Sequence, residues 1–114
     1  MRLKIAVPTE ANKGLEDVVS EVFGKAKTFT IVEVENGHVR NVQVIDNPAA
    51  SYKHGSGPVA VKTLADLKVD YVLAAGLGSG ASELLEHHHI RKVLMKPNTK
   101  VSDAIKEMLT KMKT

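Results

Sequence analysis

Tyr71-Val72-Leu73-Ala74-Ala75-Gly76-Leu77-Gly78-Ser79-Gly80 is the stretch that decides the fold. Its first five residues are apolar without alternation, the pattern of a strand covered on both faces. Gly76, Gly78 and Gly80 then turn the chain, and Ser79 is a suitable N-cap for a following helix that carries Leu84 and Leu85. A covered strand, a glycine turn and a helix make one crossover unit of an α/β sheet. Such a turn presents bare backbone N–H groups to an anionic ligand.

The same grammar stands just upstream. Tyr52-Lys53-His54-Gly55-Ser56-Gly57-Pro58 leads into a helix with Pro58 expected at its first position. Val61, Leu64, Ala65 and Lys68 share one helical face, widened by Ala60 and Leu67. Downstream, Ile90 to Met95 reads as a last strand and Lys96-Pro97-Asn98 as a loop. Val101, Ala104, Ile105, Met108, Leu109 and Met112 then form a helical stripe, with Lys106, Lys111 and Lys113 toward the C-terminal end. At the start of the chain, Leu3 to Val7 is a buried strand closed by Pro8, and Pro8 to Gly14 a loop. Thr28 to Glu35 and Val39 to Ile45 are strands joined by Asn36-Gly37, the strongest short hairpin signal. The order β-β-β-α-β-α-β-α predicts a three-layer α/β domain with a mixed five-stranded sheet and right-handed crossovers, a single domain over residues 1–114.

Bulk properties narrow the function. At 114 residues and 43% hydrophobic content, one core can bury roughly two-thirds of the unfolded surface. The net charge of +3 comes from 16 basic residues spread along the chain against 13 acids, and there are only two Phe, two Tyr and no Trp. Nucleic-acid binding calls for clustered cations with stacking aromatics, so none is expected. The lack of cysteine excludes disulfides, zinc knuckles and thiolate-held iron–sulfur clusters from this chain. A metal must bind through His, carboxylate or backbone, or arrive in a preassembled anionic cluster. No apolar stretch is long enough for a signal peptide or membrane span, so a cytoplasmic protein without membrane contact is expected.

In such a sheet the loops after the first, third and fourth strands, Thr9 to Gly14, Asn47 to Pro58 and Gly76 to Ser79, can gather at the carboxyl ends where open α/β sheets bind ligands. Lys13, Lys53 and His54 supply positive or switchable charge there, and the amides of Ser56, Gly57, Ser79 and Gly80 sit at helix starts. His54, flanked by glycines, can ligate a metal or donate to an anion; the bland reading is an ordinary loop histidine. His87-His88-His89 invites a metal reading, but consecutive helical residues point about 100° apart, whereas chelation needs i and i+4. A helix-end cap is the better reading. The run Gly76 to Ala81 superficially matches a dinucleotide fingerprint, yet it follows a late strand and no acid closes the next one. There is no GxSxG elbow or Walker lysine, and His54 with Ser56 lacks a carboxylate partner, so hydrolytic catalysis is unsupported. A metal-dependent nuclease needs several carboxylates on strands, and the first strand, RLKIAVP, has none.

The opening KIAVP, Phe23-Gly24-Lys25-Ala26, Phe29-Thr30-Ile31-Val32-Glu33, Asn36-Gly37, Asn47-Pro48-Ala49-Ala50, His54-Gly55-Ser56-Gly57-Pro58 and Val69-Asp70-Tyr71-Val72 together resemble the dinitrogenase iron-molybdenum cofactor binding (biosynthesis) family. The resemblance covers residues 3 to 95. It implies a ribonuclease-H-like topology without nuclease function, and members that bind or carry anionic metal–sulfur clusters. It places His54 on the histidine of the family's HGxG loop and Lys25 on the basic residue of its FG-basic-A motif. Gly78-Ser79 departs from a common Gly-Pro, and His87 to His89 replace a commonly small Ala-Gly connection.

The leading expectation is therefore a non-enzymatic protein that binds or carries an anionic cluster, an iron-molybdenum or molybdenum-copper sulfide. The pocket would be lined by Lys13, Lys53, His54, Ser56, Gly57, Gly78 and Ser79, with His54 as metal ligand or donor. Its partners would be the cluster's donor or acceptor protein, and the chain itself a monomer or weak homodimer. The alternatives are an interaction or regulatory module without a cluster and, more weakly, a phosphate-ligand binding domain.

Overall fold

The computed structural model describes residues 1–112; Lys113 lies outside the described residues. Five strands, β1 (Arg2–Thr9), β2 (Thr28–Glu35), β3 (His38–Asp46), β4 (Tyr71–Ala74) and β5 (Arg91–Leu94), form one sheet in the order β3-β2-β1-β4-β5. β1–β2 and β2–β3 pair antiparallel, β1–β4 and β4–β5 parallel. Three helices follow the pattern read from the sequence: α1 (Ser56–Asp66), α2 (Ser79–His87) and α3 (Val101–Met112). A mixed five-stranded sheet in a three-layer α/β domain is thus observed, in an order compatible with the topology implied by the resemblance. None of the described helices is long and apolar enough to cross a membrane.

Strand alternation assigns the layers. Ala6, Phe29, Ile31, Val72 and Ala74 pack with Val61, Leu64 and Leu85 of α1 and α2. Ile5, Val7, Val32, Val34 and Leu73 pack with Val101, Ala104, Ile105 and Met108 of α3. The apolar run at Val72 to Ala74 is accordingly buried on both faces.

β1 runs two residues past its expected end, through Pro8 to Thr9. β4 pairs with β1 only at Ile5 and Ala6, so on that side Pro8 faces the returning chain. There its carbonyl accepts from the Ser20 amide at 2.8 Å and no donor is required of it. The helix starts lie earlier than expected. Gly55, at φ +74°, caps α1 and makes Pro58 its third residue, while Gly78 caps α2 and makes Ser79 its first. Lys68 is off the helical face altogether. It takes φ +59°, with Lys68 N donating to Ala65 O at 3.0 Å and Val69 N to Leu64 O at 3.2 Å. This is a Schellman ending with its usual apolar contact, here Val69 and Leu64 in one cluster. β5 is shorter than Ile90 to Met95: the Ile90 amide donates to Leu85 O in the ending of α2, and pairing with β4 stops at Leu94, while both residues are buried, Ile90 in one core layer and Met95 in the other. The Asn36-Gly37 turn has both φ values positive, 52° and 82°, as a two-residue type I′ hairpin demands.

Candidate functional site

Beyond the carboxyl ends of β1 and β4 lies a cleft of about 480 Å³, within the range of small-ligand sites. Three backbone segments line it: Glu21 to Gly24, Ser56-Gly57, and Gly76 to Gly78, with Ala81 of α2 beside them. The first is a wedge between the two glycine turns. A Cβ on Gly24 would stand 2.8 Å from Ser56 Oγ and 2.9 Å from Gly57 N, and one on Gly76 would stand 2.9 Å from the Glu21 carbonyl. Only glycine permits both approaches. An apolar hollow of about 250 Å³ at the opposite end, under the Asn36-Gly37 turn, receives no loop from the carboxyl ends of the parallel strands.

Two side chains seat the wedge. The Phe23 ring is buried and tilted against Phe29 at 5.6 Å. Asn47, just past β3 and also buried, donates through Nδ2 to the carbonyls of Gly24 and Ala26, both at 2.9 Å, and accepts from the Ala49 amide at 3.0 Å. Phe23-Gly24-Lys25-Ala26 and Asn47-Pro48-Ala49-Ala50 are therefore one structural unit. The loop after β1 has its own organiser. Buried Asp17 accepts amides from Val18 at 2.8 Å, Ala11 at 3.0 Å, and Glu10 and Lys13 at 3.4 Å.

The electrostatics of the cleft come from backbone. Neither α1 nor α2 has a side-chain N-cap bond or an acid in its first turn. The α1 ladder begins with Val59 N to Gly55 O, and the α2 ladder with Ser82 N to Gly78 O. Ser56 and Gly57 remain as free donors of α1, since Pro58 has no N–H, and Ser79, Gly80 and Ala81 as those of α2. Each start carries about half a positive charge.

Of the residues expected at the site, the structure brings Ser56, Gly57 and Gly78 together along the cleft. Ser79 is the exposed residue next to them. Lys53 and His54 are exposed in the loop leading to Ser56 and stand outside the lining. Lys13 sits elsewhere: it precedes a single 3₁₀ turn, Gly14–Glu16, which contacts β3 and α3 on the other layer. Lys25 is exposed and not in the lining. His87 to His89 end α2. His89 takes φ +60° while His89 N donates to Glu86 O at 3.0 Å and Ile90 N to Leu85 O at 2.8 Å, a second Schellman cap. Among the described residues no group of three or more His, Asp or Glu side chains could hold a metal ion.

Sequence reasoning missed Glu21, Val22, Phe23, Gly24 and Ala81 as lining residues, while Gly76 and Leu77 lie in a loop it had already brought to this edge. The signal for Gly24 was present in Phe23-Gly24, a glycine directly after a core aromatic, in the turn that Ala26 N closes onto Phe23 O at 3.2 Å. Nothing local marks Glu21 or Val22, whose place depends on the long return of the chain past Pro8.

Comparison with known proteins agrees with this architecture. The sequence model of the family described as dinitrogenase iron-molybdenum cofactor matches residues 1–111. The uncharacterized protein MJ0580 of Methanocaldococcus jannaschii is 30% identical over 107 residues, covering 94% of this chain and 86% of that protein. The apo form of the orange protein from Desulfovibrio gigas superposes with a TM-score of 0.86 at 27% identity, over 95% of this chain and 88% of that one. The crystal structure of PH0822 superposes with a TM-score of 0.82 at 27% identity, over 96% and 92%. The chain belongs to the dinitrogenase iron-molybdenum cofactor family.

Proposed function

We propose that this protein is a non-enzymatic carrier of an anionic metal–sulfur cluster, taken up as cargo in the cleft between the two glycine turns. The observation that carries the reading is that Ser56 and Gly57 at the start of α1 and Gly78 and Ala81 at the start of α2 line one cleft, with no acid in either first turn. Amide donors suit the sulfides of such a cargo, and the Val22, Leu77 and Ala81 surfaces suit its polarisable exterior. A chain without cysteine, in which no cluster of metal-ligating side chains occurs among the described residues, suits a cargo whose metals arrive already assembled. His54, exposed in the loop entering α1 and outside the lining, would add an imidazole ligand or donor, with Lys53 as counter-charge. Such a carrier would work in the cytoplasm as a monomer or weak homodimer, between a cluster donor and an acceptor protein.

The test is anaerobic incubation with thiomolybdate and copper, or with iron–molybdenum cluster donors. The protein acquires a charge-transfer absorption that His54→Ala weakens. No absorption with either cargo refutes the carrier reading; an unchanged spectrum in the variant removes only His54 from it.

One observation favours a second reading, a protein-interaction module. β5 is an edge strand with Leu94 66% exposed, an opening for strand addition. Metal content of protein isolated without oxygen separates the two, since the module carries none. A phosphate ligand would draw on the same two helix starts, and calorimetry with nucleotides against molybdate-type anions separates it from the carrier reading.

A further inference from the structure

β5 is the outer strand on the parallel side of the sheet, and alternate residues of such a strand turn their backbone groups to opposite sides. Arg91 N donates to Asp70 O at 3.0 Å and Met95 N to Ala74 O at 2.9 Å. Arg91, Val93 and Met95 therefore face β4, and Lys92 and Leu94 turn their N–H and C=O groups to the free edge. Side chains alternate as well: Lys92 reaches Ser82 and Glu86 of α2, while Val93 packs with the α3 layer. There is room on both faces. A hollow of about 550 Å³ lies at the start of β5, beside Glu86, His89 and Lys92. Another of about 390 Å³ lies at its end, beside Leu94, Asp103 and Glu107.

Charge decides what fits this edge. Ile90-Arg91-Lys92-Val93-Leu94-Met95-Lys96 holds three cations and no acid. Lys92 is met within the chain, donating to Ser82 Oγ with a Glu86 carboxylate oxygen at 3.9 Å. Arg91 reaches only the Tyr71 hydroxyl, at 3.4 Å, and among the described residues Lys96 makes no ion pair. A second copy laid on the edge would bring the same cations and no acid to meet them, which is how edge lysines prevent self-pairing. The same charge admits an acidic strand. Toward the other end Leu94 is 66% exposed with Val93 half-buried before it, and there Asp103 and Glu107 stand close by. That end calls for apolar residues and opposes acids.

We propose that β5 is the docking edge for an extended segment of a partner protein, with two apolar residues against Leu94 and Val93 and two acids against Lys92 and Arg91. Antiparallel pairing, the more stable form per residue, gives the order apolar-apolar-acid-acid along the partner. Its backbone bonds to Lys92 and Leu94, and its side chains enter the hollows on alternate faces. The proposal rests on the strand-addition reading of β5 and holds whether or not the cleft carries cargo, since β5 lines no part of the cleft.

The experiment is titration of the full ¹⁵N-labelled chain, to millimolar concentration, with the end-blocked peptides Thr-Val-Val-Glu-Glu-Thr and Thr-Val-Val-Lys-Lys-Thr. The acidic peptide shifts the Lys92 and Leu94 amides, slows their hydrogen exchange, leaves Ser56 and Gly57 in place, and binds about fivefold tighter than the basic one. Arg91→Glu reverses that preference, a swap that a folding defect cannot produce. Leu94→Pro removes an outward donor without touching the β4 ladder and abolishes the protection of Lys92, with circular dichroism checking the fold. Equal binding of both peptides, or no reversal in Arg91→Glu, overturns the acidic partner. Shifts confined to Ser56 and Gly57, or a dimer in sedimentation that Leu94→Pro dissolves, overturn the docking by placing the peptide in the cleft or a second copy on the edge. If neither peptide binds, the strand-addition reading falls with the proposal, and the carrier reading stands on its own thiomolybdate test.

Discussion

Gly24→Ala and Gly80→Ala place the same methyl group on two glycines of the site region and should move stability in opposite directions. At position 24 the new Cβ falls 2.8 Å from Ser56 Oγ, 2.9 Å from Gly57 N and 3.1 Å from Gly57 Cα. Two of these neighbours are helix backbone, so the wedge or the start of α1 must shift. Overpacking of this kind costs about 1–3 kcal/mol, from which the stiffer unfolded chain recovers no more than about 1. The net loss is about 1–2 kcal/mol. For 114 residues the unfolding entropy is about 0.24 kcal/mol/K, which lowers Tm by about 4–8 °C. At position 80 nothing lies within 4 Å of the added carbon, and the residue is in the first turn of α2. There alanine gains up to about 1 kcal/mol of helix propensity and raises Tm by about 2–4 °C. Thermal unfolding by circular dichroism measures both, and amide spectra report whether the Ser56 and Gly57 resonances shift in Gly24→Ala and stay in place in Gly80→Ala. Equal shifts of Tm in the same direction would refute the close approach of the wedge to α1.

Two other predictions concern the elements around the cleft. Lys68→Gly and His89→Gly each relieve a left-handed residue at a Schellman cap and should add about 0.5–1 kcal/mol in urea denaturation, whereas Lys68→Ala and His89→Ala add nothing because they keep the strain. Equal effects of Gly and Ala would show that the backbone there is unstrained. Asn47→Ala leaves the Gly24 and Ala26 carbonyls without their side-chain donor and should cost about 3 kcal/mol; a loss below about 1 would mean that the wedge is seated by Phe23 alone.

The parts of this fold that were legible in the sequence are those whose signal is local. Thr28 to Glu35 alternates and is β-branched, Asn36-Gly37 has the φ values that only its turn type needs, and Val101 to Met108 repeats with helical period. Each of these is decided within a dozen residues. The starts of α1 and α2 slipped by two positions and one: Gly55 takes a positive φ and caps α1 ahead of Pro58, whereas Gly78, in extended backbone with open space where a side chain would stand, caps α2 although serine is the stronger N-cap signal. Pro8 read as a stop because proline removes a donor, and the sequence does not reveal that no donor is wanted on that side of β1. Lys68 completed an arithmetical helical face, but Val69 and Leu64 closing over the end outweigh the modest propensity of one more turn.

The site was legible as glycine and illegible as geometry. Ser56, Gly57 and Gly78 are identifiable because two crossovers in an α/β sheet must open at the same edge. Lys13 offers charge at that edge too, but Asp17 gathers the amides around it and the 3₁₀ turn carries it to the layer of α3. What completes the cleft is a third backbone segment, and its contribution is an absence: Gly24 has no side chain to cover the α1 amides, and the aromatic before it is turned into the core. A site built in this way separates recognition from stability. Phe23 and Asn47 hold the wedge through buried contacts that tolerate little change, whereas Glu21, Val22, Lys53 and His54 are exposed and free to vary without disturbing it. A substitution at any of these four rim positions therefore changes the mouth of the cleft while Phe23 and Asn47 keep the wedge in place.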